Sequence, residues 1–396
     1  MSDEIKVSVI MPVYNAEKYL ADSLGTVVEQ TLREIEIICV DDGSTDDSRK
    51  VIAEYMEKDD RITLLQQKNQ YAGIARNTGL KKCSGEYVVF WDADDRFALD
   101  ALEKLYNKAK QDDADISICD MRKWDSEANR YVLPPKNLNK EYIPEHSPFS
   151  VKDIPQYIFN FATNNPWNKM YRRSFLEKNG LYFQGCKRAN DVFFVMQALY
   201  LAERMTVVDE RLIDYRYNNS DSLTGSLTEE NTCIYEAHLA TYQALKERGA
   251  FENELVLQSF ANKALNKMIH SLDIQTSEES AKELFDMLLA GGFQKLGIED
   301  REDYYYSPNV HACYKTMLTG SLISTLLLMK TQKEKNLETH RQKLCRQRMK
   351  VAKLTAKVEN LSEKLERKKE ELKHIRNQIP YKVIRKLHLV KELPPK

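Results

Sequence analysis

The chain has 396 residues, 42% of them hydrophobic and 30% charged, with 13 Gly. That is room for two or three packed domains, and it excludes collagen-like and low-complexity chains. The formal net charge of −1 conceals an asymmetry: residues 330–396 hold 21 Lys/Arg against 8 Asp/Glu, leaving 38 against 52 in residues 1–329. An acidic body with a basic tail points to an anionic partner for the tail.

Seven scattered cysteines (Cys39, Cys83, Cys119, Cys186, Cys233, Cys313 and Cys345) form no CxxC pair. Reduced thiols in a cytoplasm are expected, with neither a disulfide framework nor a zinc site. Met1 to Lys6 has no apolar core, so no signal peptide is expected there. Met317 to Met329 is apolar but interrupted and shorter than the roughly 20 residues of a spanning helix; a buried helix is expected.

Residues 5–120 alternate strand-like and helix-like segments, the pattern of a mostly parallel sheet flanked by helices. Strands are expected at Val7–Met11, Glu36–Val40, Arg61–Leu65, Tyr87–Trp91 and Asp115–Cys119. Helices are expected at Ala16–Glu29, Ser48–Met56, Ala72–Lys81 and Leu99–Ala109, with Thr45 and Asp46 as caps of the second. Residues 121–150, with four prolines, look like a looser connection. Pro166 to Tyr171 is a polar-aromatic segment, Val192–Ala202 an apolar helix and Thr206–Tyr217 a strand. Residues 218–228 read as a polar loop, and 229–330 as helices with Ser277 and Ser307 as caps.

Three strands therefore end in polar, ligand-ready segments: VYN (13–15), VDDGS (40–44) and WDADD (91–95). In a parallel sheet such ends lie along one edge, where ligands bind. Asp92, Asp94 and Asp95 follow a fully apolar strand. Unpaired buried charge is costly, so a divalent cation with a phosphate beyond it accounts for them well. A turn that caps the next helix also fits the same residues.

The final segment carries Leu337, Leu344, Val351, Val358, Leu365, Leu372 and Ile379 at intervals of seven, the a positions of a heptad repeat. The d positions His340, Gln347, Leu354, Leu361, Lys368 and Ile375 are half apolar. The flanks are almost all basic or neutral, among them Arg341, Lys343, Arg348, Lys350, Lys357, Lys364, Lys369 and Arg376. A homodimer through 337–379 is one use of this stripe, an anionic membrane another. The basic-apolar stretch after Pro380 suits a lipid surface.

SVIMPVYNAEKYL, VDDGSTDDS, AGIARNTG, GEYVVFWDADD and NDVFF, in this order, resemble the inverting family 2 glycosyltransferases of bacterial polysaccharide building. The resemblance covers roughly residues 5–220. It implies an α/β fold of the GT-A type, a mostly parallel sheet flanked by helices, to which the residue pattern adds an all-α region and a long basic heptad helix. The expected divisions are 1–120 (nucleotide-sugar half), 121–228 (acceptor half), 229–330 (helical), 331–379 (heptad) and 380–396 (basic tail). It further implies transfer from a UDP- or dTDP-sugar to a glycan or lipid-linked acceptor, with Mn²⁺ or Mg²⁺. The enzyme would sit peripherally on the cytoplasmic membrane face, with no nucleic-acid partner.

The resemblance assigns Pro12, Tyr14, Asn15, Asp41 and Asp42 to the nucleoside. Asp42 would accept the uracil N3–H, which thymine shares. Arg76 would hold pyrophosphate or else pair with an acidic strand end. Asp92, Ala93 and Asp94 match the D-x-D element, with Asp94 on the metal and Asp95 structural. Asp191 would be the general base, although it also suits a helix cap; the family often has Glu-Asp where this chain has Asn190-Asp191. Trp167, Asn168 and Lys169 would lie on the acceptor side. Arg216 and the loop from Asn218 to Ser226 would form a lid over the donor. Two other functions fit some of these residues: a sugar nucleotidyltransferase, whose usual Gly-rich loop is replaced here by PVYNAEKYL, and a non-catalytic assembly factor built on the heptad helix.

Overall fold

The computed structural model describes residues 4–132, 137–217, 232–275 and 277–378. Contacts group the chain into two units, Met1–Leu326 and Leu327–Lys396. The first begins β1 (Val7–Val13), α1 (Glu17–Val28), β2 (Ile35–Asp41), α2 (Ser48–Met56), β3 (Ile62–Gln66), α3 (Tyr71–Leu80) and β4 (Tyr87–Phe90). It continues with β5 (Arg96–Phe97), α4 (Ala101–Gln111), β6 (Ile116–Asp125), β7 (Arg130–Val132), β8 (Lys169–Arg172), α5 (Arg173–Asn179), α6 (Asn190–Leu201) and β9 (Met205–Tyr217).

These strands make one sheet in the order β3-β2-β1-β4-β8-β6-β9-β5, with β7 paired to β6. β3, β2, β1 and β4 run parallel. Val, Ile and aromatic residues fill this half, and β4 is buried along its whole length, as a strand covered on both faces must be. β8 then runs antiparallel to both β4 and β6. The segment around Trp167 thus contains a central strand that the sequence did not announce. β6 also runs on to Asp125, through what reads as loose connection, because it pairs with β9 past a register shift at Cys119–Asp120.

The helical part comprises α7 (Cys233–Glu247), α8 (Glu254–Asp273), α9 (Glu278–Met287), the short α10 (Phe293–Lys295) and α11 (Pro308–Thr319). Ser277 and Ser307 cap α9 and α11 as expected, each Oγ accepting a backbone N–H. The apolar run 317–329 is not one buried helix. It breaks at Gly320, where a Cβ would meet the Thr316 carbonyl O at 2.8 Å, and Ile323 and Leu327 beyond the break are exposed.

The second unit consists of α12 (Leu322–Gln378) from Leu327 onward. Its stripe residues Leu337, Val351, Leu354, Val358, Leu361, Leu365 and Leu372 are all exposed. The Leu344 side chain, Ile379 and the segment after Pro380 lie outside the described residues. No described helix is long and apolar enough to cross a membrane.

Candidate active site

The carboxyl ends of β1 and β2 lie side by side, Val13 opposite Asp41. Backbone groups stitch them together: Asp42 N donates to Val13 O at 2.8 Å, and Asn15 N donates to Ser44 Oγ at 3.0 Å. Asn15, at φ +48°, accepts from Thr45 N at 2.8 Å, so its amide organises this loop. Asp41 is buried and accepts from Ser44 N at 3.1 Å, an Asx-type turn closure. Asp42, also buried, takes two bonds on Oδ1, from Gln67 Nε2 at 2.7 Å and Gln70 N at 2.9 Å. Pro12 is half-buried and Tyr14 half-exposed beside them.

Helix α3 links these ends to the third. Thr78 Oγ1 donates to Gln67 Oε1 at 2.7 Å, and Gln67 in turn donates to Asp42. Two residues earlier on the same helix, Arg76 donates from Nη2 to Asp92 Oδ1 at 2.6 Å and from Nη1 to Asn190 Oδ1 at 2.9 Å. Its guanidinium lies over the Phe183 ring at 5.3 Å and is buried. Asn77 exchanges two hydrogen bonds with the Phe183 backbone. Such close approach requires Gly73: a Cβ there would lie 2.1 Å from the Gln184 carbonyl O and 3.0 Å from Asn190 Cβ. Of the two roles expected for Arg76, pairing with an acidic strand end is the one its bonds display.

Beyond β4, Asp92 and Asp94 are half-buried, while Ala93 and Asp95 are buried. Asp95 Oδ1 accepts from Arg216 N at 2.9 Å, and Oδ2 is buried without a hydrogen bond. Burial, then the neighbouring Asp94 and Asp92 charges, push its carboxyl well above the usual range. Arg216 donates to the Asp94 carbonyl O at 2.7 Å and to Asp22 at 2.8 Å, its guanidinium packed on Tyr19 and Trp124. Arg216 therefore braces the D-x-D turn from inside; the lid loop expected from Asn218 lies outside the described residues. Among the described residues no three His, Cys, Asp or Glu side chains gather into a metal-ligating group. Two hard carboxylates and an orphaned buried oxygen nonetheless fit a cation whose remaining ligands come from phosphate and water.

Asp191 lies in the first turn of α6, one residue inside a start where Ala189, at φ +56°, occupies the cap position. Ala189 makes no side-chain cap bond, and Asp191 is the first-turn acid, so it also suits the positive end of the helix. Burial raises its pKa above the usual carboxylate range; Asp92 adds to this, while Arg76 and Lys267 oppose it.

The sequence profile of glycosyl transferase family 2 matches residues 8–180. EpsJ of Bacillus subtilis, an uncharacterized glycosyltransferase, is 32% identical over 255 residues, which is 63% of this chain and 73% of EpsJ. A cholesterol galactosyltransferase of Borreliella burgdorferi is 31% identical, over 63% of this chain and 70% of that one. The chain belongs to glycosyl transferase family 2. Its fold is that of S. aureus TarS (residues 1–349), solved in complex with UDP-GlcNAc, with a TM-score of 0.65 and 21% identity over 83% of this chain and 92% of that one. Of the three functions open to the sequence, these comparisons support the glycosyltransferase.

In this glycosyltransferase the three residues assigned to the acceptor have inward-facing side chains. Trp167 stacks on Tyr215 at 5.8 Å, and Asn168 donates to Cys119 O at 2.9 Å. Lys169 is fully buried and donates to Thr163 O, Asn165 O and Asn168 Oδ1 at 2.7–2.8 Å. Burial pulls its pKa down to about 7, against three acceptors that match the three N–H bonds of an ammonium.

The region beyond the family match contributes groups that sequence reasoning missed. Lys263 of α8 donates to Ala162 O at 3.0 Å, and burial, then Lys267 and Lys169, lower its pKa to about 7. Lys267 is exposed one turn further on. His238 of α7 is buried, its pKa pulled down to about 4. The available signal was FANKALNKM, two lysines four apart beside an apolar helical stripe.

Proposed function

We propose that the enzyme transfers a sugar from a UDP- or dTDP-sugar to a hydroxyl of a glycan or lipid-linked acceptor, with inversion and with Mn²⁺ or Mg²⁺. One observation carries this: the Arg76 guanidinium bridges Asp92 at 2.6 Å and Asn190 at 2.9 Å. It ties the D-x-D turn to the residue preceding Asp191. An inverting transfer needs a nucleotide-sugar pocket and a base on the acceptor side, held in fixed relation. That TarS holds UDP-GlcNAc on the same fold supports the donor class.

In this reading Pro12, Tyr14, Asn15, Asp41 and Asp42 shape the nucleoside pocket. Asp42 Oδ2 serves the base N–H while Oδ1 stays with Gln67 and Gln70. Asp92, Ala93 and Asp94 form the turn facing the diphosphate, with Asp94 as the metal ligand. The cation, when bound, supplies positive charge to the departing diphosphate. Asp191 takes the proton of the acceptor hydroxyl as it attacks the anomeric carbon. Its raised pKa makes it a stronger base than an ordinary Asp, and the Arg76 charge opposes that rise. Trp167, Asn168 and Lys169 support the acceptor side from behind by fixing β8 against β6. The basic stretch after Pro380 is the segment we assign to an anionic lipid surface near a lipid-linked acceptor.

The test is hydrolysis or transfer from UDP- and dTDP-sugars with Mn²⁺ or Mg²⁺. Donors are first chosen by thermal shift, since a bound donor raises the melting temperature. Asp94→Ala and Asp191→Asn should each lose more than about 100-fold in rate, and EDTA should abolish turnover of the native chain. Full activity in both variants would sink the assignment.

A further inference from the structure

We propose that α12 between Leu337 and Leu372, centred on Val351–Leu365, is a seam on which a second copy of this chain pairs in parallel and in register. Val351, Leu354, Val358, Leu361 and Leu365 follow one another at alternating spacings of three and four residues, and all five are exposed. β-Branched Val at a positions with Leu at d positions favours two strands.

The period distinguishes a helix from a flat surface. A strict seven-residue repeat drifts about 20° per heptad around a straight α-helix, hence about 100° between Leu337 and Leu372. A planar bilayer would lose one end of such a stripe. A second helix follows it by supercoiling.

Charge selects the orientation. Glu359, Glu363, Glu366 and Glu370 sit at b and f positions, away from the seam. Lys350, Lys357 and Lys364 line its g side, with Thr355 and Ser362 on its e side. In a parallel pair the central lysines Lys350 and Lys357 face the second copy's Thr355 and Ser362. Like charges meet only at the edges, Lys343 with Arg348 and Lys364 with Lys369. An antiparallel pair centred on Val358 would set Lys357 against Lys357, Lys350 against Lys364 and Arg348 against Lys369, which is repulsive along the centre, with Lys343 against Glu371 the one attraction on the g side. Lysine stems can also lie along the apolar core while their charges stay in water.

The experiment is light scattering and sedimentation of the full chain. Native protein should show twice the 46.1 kDa of one chain, in a concentration-dependent equilibrium. Leu354→Gln with Leu361→Gln, which keeps good helix formers at exposed positions, should shift it to the single mass with circular dichroism unchanged. Lys364→Glu should tighten pairing by about tenfold, because it converts two symmetry-related repulsions into attractions. Leu372→Cys, made with Cys345→Ser, should form an intermolecular disulfide under mild oxidant; only a parallel register brings position 372 to its own copy. A native chain that stays at the single mass overturns the proposal, as does a dimer that survives the Leu→Gln pair or fails to cross-link at 372. Loss of co-sedimentation with phosphatidylglycerol vesicles in a monomeric Leu→Gln variant would make the stripe a lipid face, and would equally overturn it.

Discussion

Removing the Arg76 guanidinium should be felt in two separate measurements. Arg76→Ala leaves the Asp92 carboxylate and the Asn190 amide without their shared donor. Breaking a fully buried pair costs about 3–5 kcal/mol. Asp92 is 28% exposed, so water replaces part of the loss and about 2–3 kcal/mol is expected. At about 2 °C per kcal/mol for a unit of this size, the melting temperature should fall by about 5 °C. The second effect is on acidity. Arg76 is the largest of the charges that oppose the upward shift at Asp191. Without it Asp191 binds its proton more tightly, so the acid limb of the pH–rate profile should move to higher pH. Arg76→Lys keeps the charge but not the two-pronged donor; it should lose stability while holding the acid limb near its native place. Differential scanning fluorimetry and a pH profile of donor turnover read the two effects. An Arg76→Ala variant with native melting temperature and native acid limb would refute the coupling.

Gly73→Ala would place a methyl group 2.1 Å from the Gln184 carbonyl O, and neither backbone can yield cheaply. A loss of about 2–3 kcal/mol and of donor turnover is expected, read by urea denaturation and activity. His238 is held neutral in the fold, with a pKa near 4 against 6.5 outside it. Its contribution is intact above pH 6.5 and is lost as pH falls towards 4, by about 3 kcal/mol in all. His238→Gln should flatten stability across that window in urea titrations at stepped pH. Asp95 is pushed the other way, so its ionised form weakens the fold as pH rises above the ordinary carboxylate value. Asp95→Asn keeps the Oδ1 acceptor for Arg216 and removes that repulsion. With EDTA present its melting temperature at pH 7 should match or exceed native, and a drop of several degrees would contradict this.

The first four strands and their helices were legible because each β-α unit is short and its hydrophobic pattern local. Ser48–Met56 was bounded to the residue, and the polar segments after β1, β2 and β4 line the edge they were expected to share. The rest depended on contacts remote in sequence. Lys169 reads as a ligand-facing lysine, but its carbonyl partners at Thr163 and Asn165 exist only once the chain turns into β8. Arg76 reaches Asn190 across 114 positions, and no local pattern could favour that bond over a phosphate. The family resemblance casts Arg216 as part of a lid with the polar loop after β9. It is instead held inside by Tyr19, Asp22 and Trp124, which belong to α1 and β6.

The polar ends of β2 and β4 and the start of α6 are fastened to a single ten-residue helix through Thr78, Gln67 and Arg76, and the β1 end follows through the Asp42 N to Val13 O bond. Whatever tilts α3 tilts all of them together. Their mutual spacing thus behaves like the frame of an instrument, set by one short helix and not by the loops around it.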